Sequence, residues 1–130
     1  MEIESLKDSF KLVEYLGIEF VSVRKDDVVV AKMPVDDRNV QPFGTLCGGA
    51  TLALAEIVAG AGSVALCNGG RCAGLNISCN HIHPAMKGDT VTATAQIVHK
   101  GAKTHVWQVD IYNQDGILIS RISVTNFIME

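Results

Sequence analysis

Between Gly44 and Cys67 the chain carries a single charge, Glu56, in 24 residues. That length exceeds the roughly 20 residues that cross a bilayer, so the segment must either span a membrane or fill a core. Glu56 at its centre would cost about 2.5 to 3.5 kcal/mol on insertion scales. Five glycines from Gly44 to Gly62 weaken the helix further. A core helix, apolar all round because protein surrounds it, is the better account. The pattern predicts it from about Gly48 to Leu66, closed by Asn68-Gly69-Gly70.

Such a helix needs apolar surface to enclose it, and the flanking segments supply it as strands. Gly17 to Val23 and Asp27 to Met33 read as two β-branched strands joined by Arg24-Lys25-Asp26, with Pro34 ending the second. Ala73 to Ile82, Asp89 to Val98, Thr104 to Tyr112 and Ile117 to Ile128 are four longer β segments. Turns separate these four at Pro84 to Gly88, Lys100-Gly101-Ala102 and Asn113 to Gly116. Val91, Ala93, Ala95 and Ile97 alternate with Thr92, Thr94 and Gln96, the period-2 pattern of a sheet with one buried and one wetter face. Trp107 and Ile111 alternate with Gln108 and Asp110 in the same way. A short amphipathic helix, Ser5 to Leu16, leads in, and Gly17 stops it. The expected architecture is α+β: one domain over residues 1–130, an antiparallel β-sheet curled around one long central helix.

Composition excludes several functions. A net charge of −3, with no basic run, argues against a nucleic-acid binder. The start MEIESLKDSF lacks the basic and apolar stretches of a secretory signal, so a cytoplasmic location is expected. There the four cysteines would be reduced, and none of their spacings suits a zinc site. His81 and His83 share a strand face, but two imidazoles are too few for a metal, and none is expected.

The chemistry concentrates on the helix. Its N-terminus presents unpaired N–H groups and a partial positive charge, which stabilise an oxyanion. Gly48 and Gly49 either let a ligand approach that backbone or let the helix pack tightly against the sheet. Glu56, among Leu52, Ala53, Ala55, Val58 and Ala59, would resist ionisation if buried there and become a useful base. Alternatively it faces solvent or pairs with a lysine at an interface. Cys47, at the predicted helix start, is a candidate nucleophile because a thiol there has a depressed pKa. Gly48 and Glu56 stand eight residues apart, about 12 Å along a helix axis. One carbonyl cannot touch both, so if both act, a second copy of the helix must lie antiparallel beside the first. A homodimer with two shared sites follows from that spacing.

The stretches MPVDDRNVQPFGTLCGGATLALAE and GLNISCNHIHPAMKGDTVTATAQIVHKGAKTHVWQVDIYNQDGILISRISVTNFI closely resemble the PaaI-like branch of the hotdog-fold acyl-CoA thioesterases. Within it they look most like 1,4-dihydroxy-2-naphthoyl-CoA and 4-hydroxybenzoyl-CoA hydrolases. QPFG followed by LAE, with fifteen residues from Gln41 to Glu56, is the specific part of the signal. The resemblance implies that Glu56 is the catalytic carboxylate, as nucleophile or as base for water. It implies that the Gly48 amide polarises the thioester carbonyl and that Gln41 orients substrate or water. Cys47, Gly49, Gly60 and His81 would line the substrate site. Coenzyme A, present as part of the substrate and not as a cofactor, would run toward Lys100, Gly101, Ala102 and Lys103. Those lysines could equally be solvated residues of a hairpin turn. A homodimer, with a homotetramer as the final assembly, is the expected state. Two departures stand out: the family usually has histidine at Cys47, and often threonine or serine at Gly60. They keep open an acyl-CoA-binding protein with weakened turnover. A dehydratase on the same fold would need a histidine between Gln41 and Glu56, where none stands.

Overall fold

The computed structural model describes residues 10–23 and 28–129. Elements follow in the order α1 (Lys11–Leu16), β1 (Glu19–Ser22), β2 (Val29–Pro34), α2 (Gly48–Leu66), β3 (Arg71–His81), β4 (Thr90–Lys100), β5 (Thr104–Tyr112) and β6 (Leu118–Met129). The part of the lead-in helix expected before Phe10, and the turn Arg24-Lys25-Asp26, lie outside the described residues. Gly17 ends α1 with φ +73°, a left-handed conformation that glycine adopts without steric cost. The long helix has the predicted bounds, and β5 does as well.

All six strands pair antiparallel, in the order β1-β2-β4-β5-β6-β3. The Pro84 to Gly88 turn therefore does not join neighbouring strands. After α2 the chain passes to the far edge of the sheet, where β3 pairs with β6, and then returns to place β4 beside β2. The returning segment is tied to the loop before α2 by the Leu46 amide, which donates to the Ala85 carbonyl at 2.8 Å.

The sheet curls around α2 and touches it with β2 through β6. Val91, Ala93, Ala95, Trp107, Val109, Ile111, Ile122 and Val124 face the helix and are buried, as their alternation predicts. Leu54, Ala55, Val58 and Ala59 answer from the helix. The helix is not enclosed on every side, however. At 100° per residue, Gly49 and Glu56 turn outward and are exposed, while Ala53 and Gly60 on the same stripe are half-buried. One sheet can cover only one side of a cylinder, and the described residues of a single chain leave this stripe open.

Ser63 anchors the far half of the helix. Its hydroxyl receives a hydrogen bond from Trp107 Nε1 at 2.9 Å and one from Asn126 Nδ2 at 3.1 Å, and lies 2.9 Å from His105 Nδ1. With both oxygen lone pairs taken, the Ser63 hydrogen must go to an unprotonated Nδ1. Burial holds the His105 pKa below the usual histidine value, and the neighbouring Lys100 and His99 push it the same way. The unfolded chain then takes up this proton before the folded one. Stability should be unaffected above about pH 6.5 and fall as pH drops below it, by at most about 1.4 kcal/mol per pH unit. Urea unfolding at pH 7.5, 6.5 and 5.5 checks this, and His105→Gln should flatten the dependence.

Candidate active site

Cys47 caps α2 in an extended conformation, φ −65° and ψ 132°, and makes no side-chain cap hydrogen bond. Its carbonyl accepts from the Ala50 and Thr51 amides. Among the described residues, the Gly48 and Gly49 amides have no partner, so two N–H donors remain open at the positive end of the helix. The imidazole of His81, at the end of β3, lies against this backbone: a Cβ on Gly48 would stand 2.9 Å from its Nε2. Only glycine allows that approach. Ser120, fully buried on β6, steadies the ring through Nδ1 at 3.0 Å. The Cys79 thiol sits 3.6 Å from the same nitrogen.

Gln41 is held by its own loop. Its Oε1 accepts from the Phe43 amide and its Nε2 donates to Thr45 Oγ1. One Nε2 hydrogen remains for a ligand. Gln41, Gly48 and His81 line a cavity of about 380 Å³, together with Thr51, His83 and Ser120.

Glu56 opens on a different cavity, of about 420 Å³, between the second half of α2, the start of β3 and the end of β6. Its carboxylate rests over Gly74 of β3, where a Cβ would stand 2.9 Å from Oε2. The burial expected from its apolar sequence neighbours is not supplied by the described residues of its own chain: Glu56 is exposed, because Ala55, Val58 and Ala59 turn to the sheet while it turns away beside Ala53. Gly60 borders the same cavity, and a Cβ there would meet nothing within 4 Å. No hydroxyl takes the place of the family's threonine or serine.

Lys100, Gly101, Ala102 and Lys103 border neither cavity. Lys100 ends β4 and is not part of a free turn; Gly101 and Lys103 are tied by backbone bonds to Thr104 and Ile128. Lys100, Ala102 and Lys103 are exposed. The hairpin stands at the Glu56 end of the sheet, since His105, which pairs with Lys100, also pairs with Asn126 of that cavity. His83 turns to the Pro84 carbonyl, 2.9 Å from its Nδ1. Sequence reading missed Cys72, Gly74, Asn126 and Ser120. Alternation with Ile122 and Val124 could have turned Asn126 inward, but nothing in sequence brings Gly74 to Glu56.

The sequence profile of the thioesterase superfamily matches residues 43–120. The 1,4-dihydroxy-2-naphthoyl-CoA hydrolase of Escherichia coli (strain K12) is 39% identical over 122 residues, covering 91% of this chain and 86% of that protein. The thioesterase HI1161 from Haemophilus influenzae superposes with a TM-score of 0.89 at 38% identity, over 100% of this chain and 92% of that one. A crystal structure of a hypothetical thioesterase from Streptococcus pneumoniae TIGR4 with coenzyme A superposes with a TM-score of 0.80 at 28% identity, over 86% and 88% of the two chains. With the antiparallel sheet wrapped on one long helix, these matches define the class as hotdog-fold thioester hydrolases. The chain belongs to the thioesterase superfamily.

Proposed function

We propose that the protein hydrolyses aromatic or medium-chain acyl-CoA thioesters at two sites, each shared between the subunits of a homodimer. The observation that carries this reading is the separation of the two halves of the chemistry. On one chain, the open Gly48 amide and the Glu56 carboxylate belong to different cavities, eight residues of helix apart. An antiparallel second helix against the open stripe would bring Glu56 of one subunit to Gly48 of the partner subunit. It would also cover Glu56, and small residues at Ala53 and Gly60 permit the approach. The sheet supports the same contact. Its β3 edge runs eleven residues without a proline, and a bulge between Gly74 and Asn76 coincides with Leu75, 60% exposed. Beyond that bulge, from Asn76 to His81, the edge offers a template for pairing with another strand.

In the assembled site, the Gly48 amide of the partner subunit donates to the thioester carbonyl and stabilises the oxyanion. The remaining Gln41 N–H and His81 adjoin that position. Glu56 either attacks the carbonyl carbon, giving an acyl anhydride that water opens, or takes a proton from the water that attacks. In both routes the C–S bond breaks, coenzyme A leaves as the thiolate, and the acid is released. Coenzyme A enters as part of the substrate and leaves as a product, its phosphates directed to Lys100 and Lys103.

Mixing two inactive chains tests the sharing directly. Glu56→Ala removes one half and Gly48→Val, whose side chain would collide with His81, removes the other. In a mixed dimer one site keeps both intact halves, so co-expression should restore about a quarter of wild-type turnover. No restoration, or a monomer in sedimentation where a dimer or tetramer is expected, refutes the shared site. A second reading, an acyl-CoA-binding protein with weak turnover, draws on the open space at Gly60. It predicts saturable ester binding with no thiol released by the wild type.

A further inference from the structure

The Ser63 cluster joins a titratable group that the hydrolytic steps leave unused to the wall of the cavity beside Glu56. His105 of β5 is 2% exposed and lies against Ser63, while Asn126 of β6, 1% exposed, bonds the same hydroxyl and borders that cavity. A hydroxyl has one hydrogen to give and two lone pairs to fill. With a neutral ring, Ser63 accepts from Trp107 and from Asn126 Nδ2 and gives its hydrogen to His105 Nδ1. Among the described residues nothing donates to Asn126 Oδ1, and no fully buried side-chain oxygen or nitrogen lacks a partner, so this oxygen opens onto the cavity. A proton on Nδ1 breaks that arrangement, because three N–H donors then point at two lone pairs and the Ser63 hydrogen has no acceptor. Trp107 cannot yield: its buried ring is packed so closely on the helix that a Cβ at Gly62 would stand 2.4 Å from it. Turning the Asn126 amide over restores every bond. Ser63 then accepts from Trp107 and His105 and gives its hydrogen to Asn126 Oδ1, and Nδ2 faces the cavity.

We propose that His105 is a positioning residue that decides which end of the Asn126 amide the cavity beside Glu56 meets: the oxygen when its ring is neutral, the nitrogen when its ring is protonated. By a half-turn of one amide, the wall changes from hydrogen-bond acceptor to donor. The groups around the ring set where this happens. Lys100 and His99 act on it from β4, Ser63 meets it from α2, Asn126 pairs with it from β6, and Trp107 stands two residues along its own strand. Among the described residues no carboxylate acts on it, and the cavity beyond Asn126 is bordered by Glu56 and Cys72. Burial, Lys100 and His99 all disfavour the charged ring, so the change falls below the ordinary histidine value of about 6.5. An acyl group beside Glu56 reads the change, so its effect on turnover rests on the hydrolysis proposed there; the turning of the amide does not.

The test follows the network and the turnover separately. In nitrogen-15-labelled protein titrated downward from pH 7.5, the His105 ring nitrogens should titrate below about 6.5. The Asn126 side-chain NH2 pair should shift with the same midpoint and lose its one protected proton, while the Trp107 indole N–H stays protected. The turnover arm takes the ratio of kcat/KM, by thiol release, for 4-methoxybenzoyl-CoA over 4-ethylbenzoyl-CoA, esters of equal length of which only the first carries an acceptor on its ring substituent. Any pH dependence of the hydrolytic steps is common to both and cancels. In the wild type the ratio should rise about fivefold across the His105 titration, the worth of one neutral hydrogen bond. His105→Gln should leave it flat, and so should Asn126→Leu, which has neither end to show. A wild-type ratio that stays flat while His105 titrates overturns the proposal, as does an Asn126 midpoint different from that of His105, or a pH-dependent ratio that survives in either variant. A ring that stays neutral down to the pH at which the chain unfolds overturns it as well. Release of thiol from neither ester refutes the hydrolase reading alone, and the His105 and Asn126 resonances then decide the turning of the amide.

Discussion

Glu56→Ala is expected to lower kcat for acyl-CoA hydrolysis by about 10²- to 10⁴-fold, the range in which a positioned acid–base group acts. Its effect on folding should be small. The side chain is exposed in the single chain and has no hydrogen-bond partner among the described residues, and alanine is at least as good a helix former. Substitutions at such positions move stability by about 0.5 kcal/mol or less. The pairing of a large kinetic loss with an unchanged melt is what separates a catalytic carboxylate from a structural one. Glu56→Gln keeps the shape and removes the charge, so it should be impaired to a similar degree. The measurement is thiol release under saturating ester, with circular dichroism melts at one fixed protein concentration because association shifts them. A variant that keeps more than a tenth of wild-type turnover would remove Glu56 from the mechanism.

Gly62→Val is expected to destabilise the fold by about 3 kcal/mol, the upper part of the range for overfilling a packed core. A Cβ at Gly62 would stand 2.4 Å from the Trp107 ring, well inside any permitted contact. Trp107 cannot step aside without cost, since it is 2% exposed and its indole nitrogen is held by Ser63. Displacing it would loosen the Ser63 cluster and, through Asn126, the wall of the cavity beside Glu56. The melting temperature should fall by on the order of 10 °C. Gly60→Ala, two residues away on the open stripe, provides the contrast. Its Cβ meets open space within the chain, so it should be neutral or gain up to about 1 kcal/mol of helix propensity. A Gly62→Val melt within 2 °C of wild type would show that the core yields where the packing says it cannot.

The helix and strands were legible in the sequence because each is written as a local period. Nineteen residues of α2 and nine of β5 lie where spacing predicts them. Strand order was not legible. The turn before β4 reads like a hairpin, but α2 carries the chain across the sheet, and β3 reaches an edge that no local signal marks. The site was half legible. Gln41, Gly48 and Glu56 stand on the page as a motif, and their spacing alone separates them along the helix axis. His81 at Gly48, Gly74 beneath Glu56 and Asn126 behind Ser63 are contacts between residues 18 to 63 positions apart in the chain, created by strand pairing.

The sequence by itself determined that a helix with one carboxylate must be wrapped by a sheet, because apolar periodicity and the cost of burying a charge are properties of local composition. Whether that carboxylate is buried was decided only by the tertiary structure. One sheet covers one side of the helix, and the uncovered side carries Glu56 out to where a second chain can meet it.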